Sequence, residues 1–254
     1  MSTQELRQQD LDFQAGLYHD PNPTRKWLHN TRRDWVLDAL DRCTPKRDES
    51  VLEIGTGCGT FTRHLSERGC NVMAVDVNAD FLNAVALLPR VSVCLADASE
   101  SLRLTGYDVA LCSEVLEHVG PSKSRRMLLN IYSALKPGGI LVLTTPQPHS
   151  TAEITARFLR FRPLLALARR IYGSVDELGH INLLTPEQLR RELRDIGFEV
   201  AEHARRALYI PLLAEFCGRP GQAVQAVLER ILRNVPLLSG LLWTQCYVLR
   251  KPAR

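Results

Sequence analysis

Several features that would assign the chain to a particular class are missing from its sequence. No basic N-terminal segment precedes an apolar run, so a secretory signal is not expected, and no apolar stretch approaches the roughly 18 residues of a membrane-spanning helix. The cysteines number 7 and contain no CxxC pair, which favours reduced, buried thiols in a cytoplasmic protein. The formal net charge is only +4 at pH 7, so composition does not demand a nucleic-acid partner.

What is present is the composition of a soluble globular protein. Of the 254 residues, 45% are hydrophobic and 24% are charged, which is enough for one sizeable α/β domain or a core with an inserted lid. From about residue 50, short apolar runs alternate with amphipathic stretches, as in a parallel, doubly wound sheet. The pattern therefore predicts a Rossmann-like seven-stranded α/β fold with a helical lid insertion. The predicted strands are 51–54, 71–77, 91–97, 107–115, 139–146, 198–203 and 243–251.

Helical segments separate these strands. Phe61 and Leu65 have the spacing of a sheet-facing helix, and residues 24–43 predict an N-terminal helix. Thr185, Pro186 and Gln188 predict a helix start with a capping box. We expect an N-terminal helical cap, a core, a lid insertion and a C-terminal part of the core that contains a helical excursion before the last strand. Their predicted boundaries are 1–48, 49–146, 147–184 and 185–254.

A glycine-rich turn follows the first predicted strand, in LEIGTGCGTF. Gly55, Gly57 and Gly59 allow the backbone to approach a ligand at the carboxyl end of that strand, where open α/β sheets bind ligands. The dinucleotide fingerprint GxGxxG fails because Thr60 occupies the position of its third glycine. A phosphate-binding loop would need a lysine, and this turn has none. Both phosphate interpretations are therefore weakened.

Acidic residues near this turn favour a different ligand. Glu53 lies two residues before Gly55, and its negative charge would repel a pyrophosphate but suit an ammonium or sulfonium group. Asp76, at the end of the second strand, can accept hydrogen bonds from both hydroxyls of a ribose. Asp97, at the end of the third strand, is placed to accept from an adenine amino group. The crevice is thus predicted to bind a cationic nucleoside.

In its glycine turn and acidic residues, the sequence resembles the class I S-adenosylmethionine-dependent methyltransferases. The resemblance rests on ExGxGxG at 53–59, on Asp76 and Asp97, and on LKPGG at 135–139, and it is close over roughly residues 50–146. It implies S-adenosyl-L-methionine as the methyl donor. The residues it assigns to the donor site are Glu53, Gly55, Gly57, Gly59, Asp76, Val77, Asp97, Ala98 and Ser113.

A second motif, SEVLEHV, follows the fourth predicted strand. The spacing of Glu114, Glu117 and His118 would place all three on one face of a helical turn. This ExxEH pattern is similar to that of ubiquinone-pathway O-methyltransferases and small-RNA 2′-O-methyltransferases, which carry a second histidine further on. His180 occupies that position here. The resemblance implies a site for Mg²⁺ or another divalent cation, made by Glu114, Glu117, His118 and His180.

Two chemical roles and a purely structural one stay open for this motif. A cation bound by it could lower the pKa of an acceptor hydroxyl and orient it. Without a metal, His118 or His180 could serve as general base, with Glu117 also in the catalytic site. His149, just after the fifth strand, is a third candidate base. The predicted reaction is in-line methyl transfer, in which holding the acceptor close and aligned provides much of the catalysis.

The lid and the later excursion bear on the acceptor and on partners. Residues 154–172 are rich in arginine and apolar side chains, so they could contact an anionic membrane surface, cover a lipophilic substrate, or pack on the core with solvated arginines. Residues 208–242 are apolar enough to line a pocket or form a homodimer interface. The leading prediction is O-methylation of a small apolar acceptor such as a phenol or quinone precursor. The alternatives are methylation of an RNA ribose, disfavoured by the lack of a wide basic surface, and a non-catalytic module that binds S-adenosylmethionine.

Overall fold

A computed structural model describes residues 14–44, 46–159, 180–236 and 238–253 of the chain. Its centre is a seven-stranded sheet in the order β3-β2-β1-β4-β5-β7-β6, which confirms the predicted Rossmann-like fold. The strands are β1 Ser50–Ile54, β2 Asn71–Asp76, β3 Val91–Leu95, β4 Tyr107–Ser113, β5 Leu135–Pro146, β6 Glu199–Arg206 and β7 Thr244–Arg250.

One strand runs against the others. β1 pairs in parallel with β2 and β4, and β4 pairs in parallel with β5. β7 is antiparallel to both β5 and β6, so β6 runs in the same direction as β5. The carboxyl ends of all strands except β7 therefore lie along one rim of the sheet, where α/β folds bind their ligands.

Helices cover both faces of the sheet. One buried cluster joins Trp35 and Leu40 of the N-terminal helix to Phe61 and Leu65 of the next helix. A second cluster, on the other face, contains Leu128, Leu189 and Tyr247 among its members. The helices are α1 Pro23–Cys43, α2 Thr60–Glu67, α3 Ala79–Asn83, α4 Pro121–Ala134, α5 Thr151–Leu159, α6 Pro186–Ile196, α7 Pro211–Phe216 and α8 Gly218–Leu232.

Helix α6 begins and ends where its sequence predicts. The Thr185 hydroxyl accepts from the Gln188 backbone N–H at 3.2 Å, and the Gln188 side chain accepts from the Thr185 N–H at 2.9 Å. Gly197 follows the helix with φ of 112°, a left-handed conformation that glycine adopts without steric cost. Because α6 starts at a fixed residue, the segment just before it, which contains His180, is held against the sheet rim.

Three expectations need adjustment. LKPGG is not simply a loop before β5: Leu135 pairs with Tyr107 and Ile140 with Val109, so β5 begins at Leu135 and bulges before the register resumes. Not every thiol is buried, since Cys217 is exposed. Residues 160–179 of the predicted lid lie outside the described residues, and α5 lies in a described part of that lid.

No helix in the described ranges is long and apolar enough to cross a bilayer.

Candidate active site

The glycine turn between β1 and α2 requires glycine for steric reasons. Gly55 and Gly59 have φ of 80° and 79°, a region that side chains other than glycine's rarely allow. A β-carbon on Gly55 would lie 2.4 Å from Val115 Cγ2, and one on Gly59 would lie 2.3 Å from Val85 Cγ1. The turn therefore stays tight, and α2 starts directly at the carboxyl end of β1.

Glu53 is completely buried beneath this turn. The Thr62 hydroxyl donates to its Oε2 at 2.6 Å, whereas Oε1 has no hydrogen-bond partner. Burial raises the pKa of Glu53 to about 8, the Thr62 hydrogen bond opposes this rise, and the nearby charge of Asp76 adds to it. Burial therefore opposes the negative charge that the sequence analysis assigns to Glu53, and that assignment stays a prediction.

The two aspartates at the rim already accept hydrogen bonds from the protein. Asp76 Oδ2 accepts from the backbone N–H groups of Thr56 at 2.8 Å and Gly57 at 3.4 Å, and its Oδ1 accepts from that of Asn78 at 2.9 Å. Asp97 accepts from Lys123 Nζ at 2.9 Å and from the Ser99 hydroxyl at 2.6 Å. The Lys123 hydrogen bond, followed by that of Ser99, lowers the pKa of Asp97 to about 2.

The remaining predicted donor residues lie along the same rim. Ala98 is buried, Val77 is exposed, and the Ser113 hydroxyl lies 2.9 Å from that of Thr144 on β5. The predicted contacts of Asp76 with a ribose and of Asp97 with an adenine stay predictions. Asp76 Oδ1 and Asp97 Oδ2 each accept one hydrogen bond from the described residues, which leaves each of them a lone pair for a further donor.

Glu117, His118 and His180 meet just beyond the carboxyl end of β4. One ligand atom from each lies within 4.8 Å of the others. Backbone hydrogen bonds place His180 there, because the N–H groups of Ile181 and Asn182 donate to the Glu117 carbonyl at 2.9 and 3.2 Å. We call these three residues the Glu-His-His cluster.

Glu114 does not join the Glu-His-His cluster. The expected helical turn is absent: Glu114 has φ of 56°, and only a 3-10 turn, Leu116–His118, follows it. Its Oε2 instead lies 3.0 Å from Arg32 Nη1 of α1, in a pair whose side chains are 14% and 11% exposed, respectively. The prediction that all three ExxEH side chains share one helical face is therefore wrong.

Two further residues orient the Glu-His-His cluster. Glu153 Oε1 lies 2.9 Å from His180 Nδ1, and both side chains are buried. A proton on Nδ1 shared with Glu153 leaves the lone pair on Nε2 available for a metal or a proton. The Thr145 hydroxyl donates to Glu117 Oε2 at 3.0 Å, while Glu117 Oε1 is buried without a partner. Burial, followed by the charge of Glu114, raises the pKa of Glu117 well above its usual range.

Comparison with known proteins identifies the family. A family model of the methyltransferase domain matches residues 25–203. The chain belongs to this methyltransferase family. This methyltransferase is 30% identical over 201 residues to a ubiquinone biosynthesis O-methyltransferase from Rickettsia canadensis, a match that covers 76% of the chain and 77% of the relative. A protein of the same description from Burkholderia pseudomallei is 27% identical over 215 residues, covering 80% of the chain and 86% of the relative.

Solved structures share the fold of this methyltransferase. Magnesium protoporphyrin IX methyltransferase from Synechocystis, with bound SAH, superimposes with a TM-score of 0.63 at 15% identity, covering 98% of this chain and 94% of the other. An N-methyltransferase from Bradyrhizobium japonicum, in complex with S-adenosyl-L-homocysteine, gives 0.60 at 16% identity, covering 98% and 97%. The chain is an S-adenosylmethionine-dependent methyltransferase, as the sequence predicts.

Sequence reasoning missed three residues of this methyltransferase site. Arg32 lies in the N-terminal helix, Thr145 lies within an apolar strand, and Glu153 opens α5. No local motif marks them, because each meets its partner only across the fold. The one available signal was a glutamate near the start of the predicted lid. His149, the third candidate base, is exposed after β5 and lies outside the Glu-His-His cluster.

Proposed function

We propose that this methyltransferase transfers a methyl group to a hydroxyl oxygen of a small apolar acceptor, and that the Glu-His-His cluster holds a divalent cation at that oxygen. The observation that carries the proposal is the convergence of three ligand atoms within 4.8 Å of one another at the strand rim. Ligand sites of α/β sheets form at this rim, so an acceptor bound there would lie beside the donor crevice.

Burial and hydrogen bonding within the cluster fit a cation. Glu117 Oε1 is buried without a hydrogen-bond partner, with His118 Nε2 3.9 Å away, and a buried carboxylate oxygen is stabilised by a positive charge. His180 is backed by Glu153, and Glu117 by Thr145, which resembles the outer hydrogen bonds that orient metal ligands. Two imidazoles with one carboxylate suit Mn²⁺, Fe²⁺ or Zn²⁺ better than Mg²⁺, which prefers oxygen ligands.

A bound cation would act as a Lewis acid that lowers the pKa of an acceptor hydroxyl. The position of that oxygen would be fixed by Glu117, His118 and His180. Burial of the Glu117 side of the cluster would limit the access of water to it. On the donor side, the glycine turn and Glu53 would bind the methionine part of the donor, and Asp76 its ribose. A donor cation near Glu53 would favour loss of its proton, which restores the charge complementarity inferred from the sequence.

The choice of an oxygen acceptor draws on the relatives. Ubiquinone biosynthesis O-methyltransferases match three quarters or more of the chain, and their names state oxygen methylation. By analogy we expect phenols, catechols or quinone precursors as acceptors. Nothing in the described part of the chain specifically favours RNA as the acceptor.

The test is turnover with an acceptor panel. Purified protein is incubated with S-adenosylmethionine and a series of phenols and catechols, and formation of S-adenosylhomocysteine is measured with EDTA and after adding back Mn²⁺, Zn²⁺ or Mg²⁺. We expect EDTA and His180→Ala each to lower the rate by about 100-fold or more. His64→Ala is the control, because His64 pairs with Asp41 of α1 and lies outside the cluster.

Two other results would change the proposal. If His180→Ala lowers the rate but the chelator does not, a histidine acts as general base and no cation is needed. Donor binding without turnover on any acceptor would indicate a non-catalytic module and refute the proposed reaction.

A further inference from the structure

A cavity of about 450 Å³ opens beside β6, on the outer edge of the sheet. One wall is the strand itself, from Glu202 to Arg206, and the other is formed by Arg233, Asn234 and Ser239, which follow or end α8. Since β6 is the last strand in the sheet order, its outer edge has no neighbouring strand among the described residues. Nothing in the donor site or the Glu-His-His cluster uses this cavity.

The cavity is strongly cationic. Arg205, Arg206 and Arg233 line it, and within the described ranges no carboxylate oxygen lies within 4.0 Å of their guanidinium nitrogens. The single acidic residue in its lining, Glu202, is already paired with Arg42 of α1 at 2.7 Å. Three positive charges in one cavity therefore lack a counter-charge within contact distance.

One further carboxylate interacts with these arginines from outside contact distance. Glu229 of α8 interacts electrostatically with Arg206 and Arg233, and burial raises its pKa. Arg190 of α6 adds a further positive charge near Arg205. Like charges close together are unfavourable unless an anion lies between them.

The wall also contains polar nitrogens without partners. Arg205 donates from Nη1 to the Ser239 hydroxyl, but its Nε is buried with no acceptor. His203 Nε2 on the same strand is likewise buried and unpaired. A buried guanidinium N–H without an acceptor is unfavourable, so Arg205 Nε marks a position where a ligand oxygen is favourable.

We propose that this cavity binds a phosphate group, carried either by a soluble phosphorylated molecule or by a phospholipid headgroup. Guanidinium groups bind phosphate oxygens through paired N–H donors. Asn234 donates one side-chain N–H to the Arg230 carbonyl and has a second one for a phosphate oxygen. A volume of about 450 Å³ exceeds what a bare phosphate needs, which leaves space for the group to which it is attached. The site does not depend on the proposed methyl acceptor.

Inorganic phosphate is the first probe. Calorimetric titration of the full chain, at constant ionic strength, is expected to show saturable binding that Arg233→Gln weakens about tenfold and Arg206→Gln by a similar factor. Arg233 is exposed, so its substitution leaves the fold intact. Arg230→Gln is the matched control, because Arg230 is exposed on the same helix but does not line the cavity.

Vesicles distinguish the two sources of phosphate. Co-sedimentation with phosphatidylglycerol vesicles, reduced by Arg233→Gln but not by Arg230→Gln, would support the headgroup. Binding of phosphate without vesicle binding would support a soluble ligand. The proposal is overturned if neither probe binds saturably, or if Arg230→Gln weakens binding as much as Arg233→Gln does.

Discussion

The most quantitative prediction concerns the charge of Glu53. Replacing it with glutamine keeps the shape and the acceptor for the Thr62 hydroxyl but removes the ionisable group. In the unfolded chain this carboxyl ionises with a pKa near 4.5, whereas in the folded protein burial raises the pKa to about 8. An acid whose pKa is raised by folding destabilises the folded state as pH rises between these two values.

The size of the effect follows from these two pKa values. Between pH 5.5 and pH 7.5 the unfolded chain has released the Glu53 proton while the folded protein mostly retains it. Each pH unit in this window lowers the free energy of unfolding of the wild type by roughly 1 kcal/mol, which is about 2 kcal/mol over the interval. Glu53→Gln has no such cost, so its stability relative to the wild type should increase by that amount as the pH is raised.

Urea unfolding of both proteins at the two pH values measures this difference. Glu199→Gln is the matched control, because Glu199 is exposed at the start of β6 and the same substitution there removes a charge that water already solvates. If the stability gap between Glu53→Gln and the wild type is the same at both pH values, the proposed protonation of Glu53 is refuted. Glu53→Gln should also weaken donor binding, since glutamine cannot become negative beside a cation.

Three other substitutions test the site. Gly59→Ala should lower the free energy of unfolding, measured with urea, by about 2 kcal/mol. Its β-carbon would clash with Val85, and the positive φ at this position is unfavourable for alanine; unchanged stability would contradict the steric argument. Glu114→Ala should lower the free energy of unfolding by about 3 kcal/mol, because the buried Arg32 loses its contacting carboxylate and keeps only its hydrogen bond to Tyr18; a loss of activity with full thermal stability would instead place Glu114 in the chemistry. Glu153→Gln should lower metal content or kcat about 10-fold with little change in melting temperature, and unaltered values for both would remove Glu153 from the positioning of His180.

Much of the fold can be predicted from local sequence, because its signals are local. All seven strands lie within a few residues of their predicted positions, and the capping box of α6 is present atom for atom. Side-chain alternation and helix-start chemistry act over a few residues and depend little on the rest of the chain. The bulge in β5 was missed because it is defined by pairing with β4.

The candidate site was only partly predictable because its electrostatics arise from tertiary contacts. The ExxEH spacing indicates a shared helical face only if the backbone is helical. Glu114 has a φ of 56°, which is outside the right-handed helical region. Its partner Arg32 is 82 residues away in sequence, and Glu153 is 27 residues from His180. The protonation of Glu53 depends on complete burial, which spacing alone does not reveal.

Glu53 and Glu117 share one arrangement at the ends of neighbouring strands. Each buried carboxyl accepts from a threonine hydroxyl at one oxygen, and each leaves the other oxygen buried without a partner. Such an oxygen costs about 1–3 kcal/mol when nothing bonds to it, so the pair destabilises the protein without ligands. A cationic donor beside Glu53 and a cation beside Glu117 would each remove this cost. If both carboxyls bind the proposed cations, saturating ligands should raise the melting temperature more for the wild type than for Glu53→Gln.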